Sequence, residues 1–181
     1  MTPPNRSVLL RDATIADAER IAQLHTASWR RTYRGMMTDA FLDGGALENR
    51  RQVWHERLTA SRADQYVRVA EDASTLIGFV CAFAGEDPVW GSYIDNLHVA
   101  YDHHRGGVGR MLMREVGQWL CGVRPDEGVY LWVMEANAPA RAFYERLGAA
   151  NAGTIDLKDP GGGHAPNCRY VWPRPQLLVS E

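Results

Sequence analysis

The segment with the sharpest chemical content is Val99-Ala-Tyr-Asp-His-His-Arg-Gly-Gly-Val-Gly-Arg110. An apolar run ends at Val99 and an amphipathic one opens near Val108, which predicts a strand-to-helix turn. Gly106, Gly107 and Gly109 free the backbone to turn tightly and let a ligand approach the main chain. The unpaired N–H groups and positive end of the new helix attract an anion. Arg105 and Arg110 add charge-assisted donors suited to phosphate. The chemistry implied is binding of a diphosphate-bearing ligand, and a plain glycine-rich turn with solvated arginines is the alternative. A dinucleotide fingerprint fails because its third glycine position holds Leu112. A nucleoside-triphosphate loop fails because the chain has no Gly-Lys-Ser/Thr.

A second segment runs from Leu131 to Gly148. Asn137 suits a helix N-cap and Pro139 is tolerated in the first turn. Phe143 reads as packing. Tyr144 stays open between packing and chemistry, because a buried tyrosine hydroxyl usually finds a partner. Asp95, His98, Asp102, His103 and His104 are the residues a metal would need. Their spacing matches no zinc pattern, and strand alternation sends Asp95 and His98 to opposite faces, so no metal site is expected. Cys81, Cys121 and Cys168 contain no CxxC and suggest neither a disulfide framework nor a zinc finger. Cys81 and Cys121 read as plain core residues.

These segments need elements to hold them. Val8-Leu9-Leu10 reads as a short strand, and Thr14 caps a helix running from about Ile15 to Tyr33, ended by Gly35. Thr38-Asp39 opens a short turn that Gly44-Gly45 breaks, and Leu47, Arg51, Trp54 and Leu58 space a second helix. Strands follow at Tyr66–Ala70, Thr75–Ala84 and Ser92–Val99, with a turn at Glu71–Ser74 and a loop bounded by Pro88 and Gly91. A helix carrying Val108, Leu112, Val116, Trp119 and Leu120 closes at Gly122. Then come the strand Val129–Met134, the helix from Asn137 to Leu147, and two last strands at Ile155 and Cys168–Trp172 around the loop Asp159–His164. The order predicts an α/β fold: a mixed central sheet of about seven strands with helices on both faces.

The chain has 181 residues, 20 Lys+Arg against 22 Asp+Glu, and a formal charge of −2. The length fits one domain over 1–181, with its core at about 8–173. With 45% hydrophobic and 23% charged residues the composition is globular, not disordered. The balanced charge argues against nucleic acid as partner. The uncharged stretch Ala73–Gly85 is about a dozen residues, too short for a bilayer that needs ~20. Met1–Arg6 has no apolar signal core, so a cytoplasmic protein without a membrane partner is expected.

Two motifs in this order, Leu97-His-Val99 before the glycine-rich loop and Asn137-x-x-Ala140-x-x-Phe143-Tyr144-x-x-x-Gly148, resemble the GCN5-related N-acetyltransferase family. Arg11-Asp-Ala-Thr-x-x-Asp17 through Ser28-Trp-Arg-x-x-Tyr-x-Gly35, and the tail around His164 and Arg169–Pro173, resemble its bacterial members. The resemblance spans about Leu9 to Pro173. In the family loop the place before the glycines is Gln or Arg; here it is His104.

The resemblance implies the acyl-CoA N-acyltransferase fold, acetyl-CoA as cosubstrate, and a small-molecule amine or a peptide as acceptor; a second copy of the chain is a candidate partner. It implies a cofactor site of Leu97, His98, Val99, His104, Arg105, Gly106, Gly107, Val108, Gly109, Arg110, Asn137, Ala140 and Tyr144. Tyr144 would give the departing thiolate its proton, since phenol and thiol pKa values lie within ~2 units. Tyr93, Asp95, Leu97 and Val99 would share one strand face by alternation, which makes Asp95 and Tyr93 the base or water-ordering candidates. His25, Trp29 and Tyr33, four residues apart, would border the acceptor groove, although such a stripe also suits a core. A non-catalytic acyl-CoA sensor on the same fold, and a modifier of protein N-termini or aminoacyl-tRNA, are the rival readings.

Overall fold

The computed structural model describes residues 8–180; the reading of Met1–Arg6 lies outside the described residues. The elements are β1 (Leu9–Asp12), α1 (Ala18–Thr32), α2 (Ala46–Thr59), β2 (Gln65–Asp72), β3 (Thr75–Asp87), β4 (Gly91–Val99), α3 (Val108–Val123), β5 (Val129–Met134), α4 (Ala138–Arg146), β6 (Ala150–Lys158), β7 (His164–Trp172) and α5 (Gln176–Val179). The strands form one mixed sheet in the order β1-β2-β3-β4-β5-β7-β6. All neighbours are antiparallel except β4 and β5. Among the described residues no helix is long and apolar enough to cross a membrane.

Alternation along β3 divides the core. Phe79, Cys81 and Phe83 pack with Ile21, Ala22 and Trp54 of α1 and α2, while Val80, Ala82 and Ala84 pack with Leu112, Val116 and Leu120 of α3. Tyr144 of α4 joins the second cluster. Helices therefore cover both faces, as the sequence predicts.

Local differences have local causes. The turn expected at Glu71–Ser74 shrinks to Ala73 and Ser74, both at positive φ. Glu71 stays in β2, where its carboxylate bonds Arg11 at 2.9 Å and Arg20 at 2.8 Å. Asp17 accepts from Arg11 at 2.7 Å and from the Thr14 N–H at 2.8 Å, which ties β1 to the start of α1. Gly44-Gly45 does not break the chain: Phe41–Gly45 winds as a π-helix that runs directly into α2. The packed chain continues past Pro173. A Cβ on Gly117 would lie 2.7 Å from that of Leu178, so the glycine lets α5 seat a buried leucine on α3.

Candidate active site

The parallel pair β4–β5 frames a gap. It pairs only at Ser92↔Val129 and Tyr93↔Tyr130, and beyond Tyr93 the strands separate. The root of this fork is tight. The Ser92 N–H donates to the Gly128 carbonyl at 2.9 Å, and a Cβ on Gly91 would sit 2.2 Å from that oxygen. Gly91 also has φ +82°, a left-handed conformation that suits glycine. On the other side of β4, the Ala100 N–H donates to the Ile77 carbonyl at 2.7 Å. Antiparallel alternation then turns the backbone N–H and C=O of Leu97 and Val99 away from β3, into the gap. The backbone of His98 faces β3.

The glycine-rich turn closes one side of the gap. His104 Nε2 lies 2.9 Å from the Val99 carbonyl, so the imidazole folds back on the strand end. Arg105 and Gly107 are left-handed, at φ 64° and 82°. Residues 104–107 are exposed, and α3 opens on buried Val108. Gly109 serves another purpose: a Cβ there would meet the Phe143 ring at 3.3 Å, so α3 and α4 approach through it. Arg110 is exposed, with Nη2 3.5 Å from the Ser180 carbonyl.

On the other side, Asn137 Oδ1 accepts the Ala140 N–H at 3.3 Å and caps α4, with Pro139 in the first turn. Ala140 packs against the larger core. Burial raises the Tyr33 phenol above its usual range, and the neighbouring Asn137 side chain offsets part of that rise. Tyr144 is buried against Phe143, Tyr170 and Trp172. Burial, then the Tyr33 phenol, pushes the Tyr144 hydroxyl well above its usual range. The gap between phenol and thiol acidity is therefore wider than ordinary values imply. Tyr33, Asn137 and Tyr144 thus meet where α1, α4 and the end of β5 converge.

The face shared by Tyr93, Asp95, Leu97 and Val99 needs correction. Cys81 pairs with Asn96 but Ala82 pairs with Ile94, so Asp95 is an extra residue, a β-bulge. Alternation shifts by one there. Leu97 and Val99 pack toward α3, whereas Tyr93, Asn96 and His98 face α1 and α2. Asp95 faces α1 and α2 as well, bonded to Arg57 of α2 at 2.5 Å, so Asp95 and His98 share a face instead of opposing one another. Arg57 also donates to Asn96 at 2.8 Å. Burial and the Asp95 carboxylate raise the Tyr93 phenol, whose ring stacks on Tyr130 at 5.0 Å.

His25, Trp29 and Tyr33 do lie along one side of α1, at different depths. His25 is fully buried: its Nδ1 accepts from Trp54 Nε1–H at 3.0 Å, and its ring lies 4.3 Å from that of His98. His98 Nδ1 lies 2.8 Å from the Ser28 hydroxyl. Burial, then the Arg50 guanidinium, pushes His98 down to about 3; burial, then His98, lowers His25 well below its ordinary value. Both are neutral at pH 7. Trp29 is buried and Tyr33 partly exposed. Sequence reasoning missed Arg50 and Arg57. Their spacing of four and three residues from Trp54 puts all three on one helix face, and that is the signal that marks them.

A family model described as "Acetyltransferase (GNAT) family" matches residues 18–149. The "Probable N-acetyltransferase Rv2775" of Mycobacterium tuberculosis is 28% identical over 178 residues, covering 94% of this chain and 95% of its own. Among solved structures, the PaiA N-acetyltransferase of Thermoplasma acidophilum in complex with coenzyme A aligns with a TM-score of 0.68 at 19% identity, over 90% of this chain and 98% of its own. NAA60 of Arabidopsis thaliana in complex with acetyl-CoA aligns with a TM-score of 0.67 at 20% identity, over 92% and 98%.

Proposed function

The chain belongs to the acetyltransferase (GNAT) family and is an N-acetyltransferase, and on that premise we propose that it moves an acetyl group from acetyl-CoA to a primary amine by direct attack. The observation that carries this reading is the early end of the β4–β5 ladder. It leaves the N–H and C=O groups of Leu97 and Val99 facing a gap that an extended pantetheine arm would fill. The pyrophosphate would meet the N-terminus of α3, with Gly106, Gly107, Val108 and Gly109 offering backbone and Arg105 and Arg110 offering charge. His104, with Nε2 close to the Val99 carbonyl, would shape that turn. Asn137 and Ala140 would border the arm from α4. His98 supports the site from the opposite face.

An amine of pKa near 10 is mostly protonated at pH 7 and must lose a proton before attack. Tyr93 and Asp95 would order the water that takes it. The Arg57 ion pair keeps Asp95 in place as a charged acceptor. The oxyanion formed at the thioester carbon would be met by a backbone N–H near Val99. The C–S bond then breaks, and Tyr144 would protonate the sulfur. Its raised pKa keeps the phenol neutral, hence a donor, through the whole neutral range. Cys81 and Cys168 are buried, and burial pushes Cys81 up to about 12; Cys121, expected in the core, is only partly buried because it faces the edge of α3 beside α5, and it too lies outside both motif segments, which speaks against an acetyl-thiol relay.

Tyr144→Phe tests the reading, because the ring stays and the proton donor goes. Loss of a general acid typically costs about 10²–10⁴ in rate. We expect kcat to fall at least about tenfold, with acetyl-CoA affinity and Tm close to wild type. Near-normal kcat would show that water protonates the thiolate. A wild-type protein that binds acetyl-CoA yet releases no thiol with any amine would instead be an acyl-CoA sensor.

A further inference from the structure

The proposed transfer leaves one buried charge unused. Arg50 on α2 is only 8% exposed. Among the described residues no carboxylate pairs with it. Its Nε and Nη2 donate to Oδ1 of the adjacent Asn49, at 3.0 and 2.5 Å, and its guanidinium lies 4.4 Å from the Trp29 ring centroid. That leaves the Nη1–Nη2 edge, the side of the guanidinium shaped for two oxygens. Burial, then Arg57, lowers its pKa to about 10, so it is charged at neutral pH. A buried charge without a counter-ion is costly to keep, and a folded chain that keeps one has a use for it.

Its surroundings indicate the use. The Trp29 ring under Arg50 also contacts Tyr33 and Phe41. Phe41 packs on Gly161 of the β6–β7 loop, where a Cβ would lie 3.0 Å from the ring. Arg50 thus lies where α1, the π-helix and the β6–β7 loop meet, on the face of β4 that carries Asp95 and His98. Both of those residues feel its charge. The charges that act on Arg50 are Arg57 and Asp95, and Asp95 is already held by Arg57. His25 and His98 are neutral. One positive charge remains uncompensated, which matches a single carboxylate better than a dianionic phosphate.

We propose that Arg50 binds a carboxylate carried by the acceptor, so that the acceptor is a compact amino carboxylate such as a free amino acid. This rests on the transferase reading for the amine and on Arg50 alone for the carboxylate. The two anchors then define the acceptor from opposite ends: the amine toward the thioester at Val99, the carboxylate under α1 on Arg50.

The test compares the L-amino acids with their L-amino acid amides, using full-length protein, acetyl-CoA and thiol release. The wild type should turn over at least one amino acid with kcat/KM about 30-fold or more above its amide, the loss typical when a buried charge loses its partner. In Arg50→Gln that ratio should collapse toward one, chiefly through KM for the acid, and Arg50→Lys should recover part of it. Equal use of acids and amides by the wild type, or an unchanged ratio in Arg50→Gln, overturns the proposal. Calorimetry of the same probes with CoA-loaded protein separates the two levels. If no probe is turned over, the transfer reading fails, and acids binding where amides do not, in wild type but not in Arg50→Gln, would still uphold the carboxylate site. Should Arg50→Gln not fold, binding of acids and amides alike to the wild type overturns it.

Discussion

Mild acid should destabilise this protein through His98 before its carboxylates titrate. In the folded state His98 is held down to about 3, whereas an unfolded histidine titrates near 6.5. The unfolded chain therefore binds a proton that the folded chain refuses. The stabilisation is complete above about pH 6.5 and is lost as pH falls from there toward 3. The slope is up to about 1.4 kcal/mol per pH unit from this one imidazole, or roughly 2–3 kcal/mol between pH 6.5 and 4.5. His25 pushes the same way, because it too is lowered. The best-tied carboxylate is silent in this window. Asp17 is lowered to about 2 by Arg11, and its contribution goes only as pH falls from its unfolded value near 4 toward 2. Urea unfolding at half-unit steps from pH 7.5 to 4.5 reads the slope directly. His98→Gln keeps a polar group for Ser28 but cannot titrate, so its curve should be flatter. Identical slopes in variant and wild type, or no loss in the wild type, would show that the imidazoles accept protons without cost and would refute the desolvation argument.

Two further outcomes test the frame around the gap. Gly91→Ala places a methyl 2.2 Å from the Gly128 carbonyl on a residue at φ +82°, and should cost about 3 kcal/mol or more in chemical denaturation, since backbone cannot yield as a side chain can. Gly107→Asp meets no atom within 4 Å, and aspartate tolerates a left-handed φ, so the fold should hold. Calorimetry should nonetheless show acetyl-CoA affinity down at least about tenfold from the added negative charge beside the phosphates, and unchanged affinity would move the pyrophosphate elsewhere.

The elements were legible because their signals are local. The stripe Val108–Leu120, the Asn137 cap with Pro139, and the alternation of Tyr66–Ala70 each predict an element that the structure contains. What escaped is set by partners distant in the chain. Whether Glu71 turns or stays in β2 depends on Arg11 and Arg20. The bulge at Asp95 depends on how β3 pairs with β4, and no alternation rule applied to β4 alone can place it. Gly109 reads as part of an anion cradle because glycine frees a backbone; that it also lets α3 and α4 touch, through Phe143, depends on a residue far along the chain. Arg50 carries no signal of its own in the sequence, since its burial arises from the packing of Trp29 and α1 over it.

The bulge also gives one strand the means to serve two ligands, as the proposed transfer would require. In a regular β4, every second side chain from Tyr93 to Val99 would share a face, and the α1–α2 side would receive Ile94 and Asn96 separately from Tyr93. The extra residue at Asp95 puts Tyr93, Asp95, Asn96 and His98 together beneath α1 and α2, within reach of Arg57 and Ser28. It leaves Leu97 and Val99 to pack toward α3 and to turn their backbone groups into the gap. In the proposed transfer, side chains on the α1–α2 face would meet the acceptor, while main-chain groups at the strand edge would meet the acyl donor. Deleting Asp95 removes only the extra residue: Ile94 keeps Ala82 as its partner and Asn96 keeps Cys81, so the other side chains of β4 keep their faces. Deletion should therefore lower thiol release by removing the partner of Arg57 while acetyl-CoA still binds, and Asp95→Asn, which keeps the bulge but weakens the hold on Arg57, should do the same to a smaller degree; loss of acetyl-CoA binding on deletion, read by calorimetry, would refute this pairing.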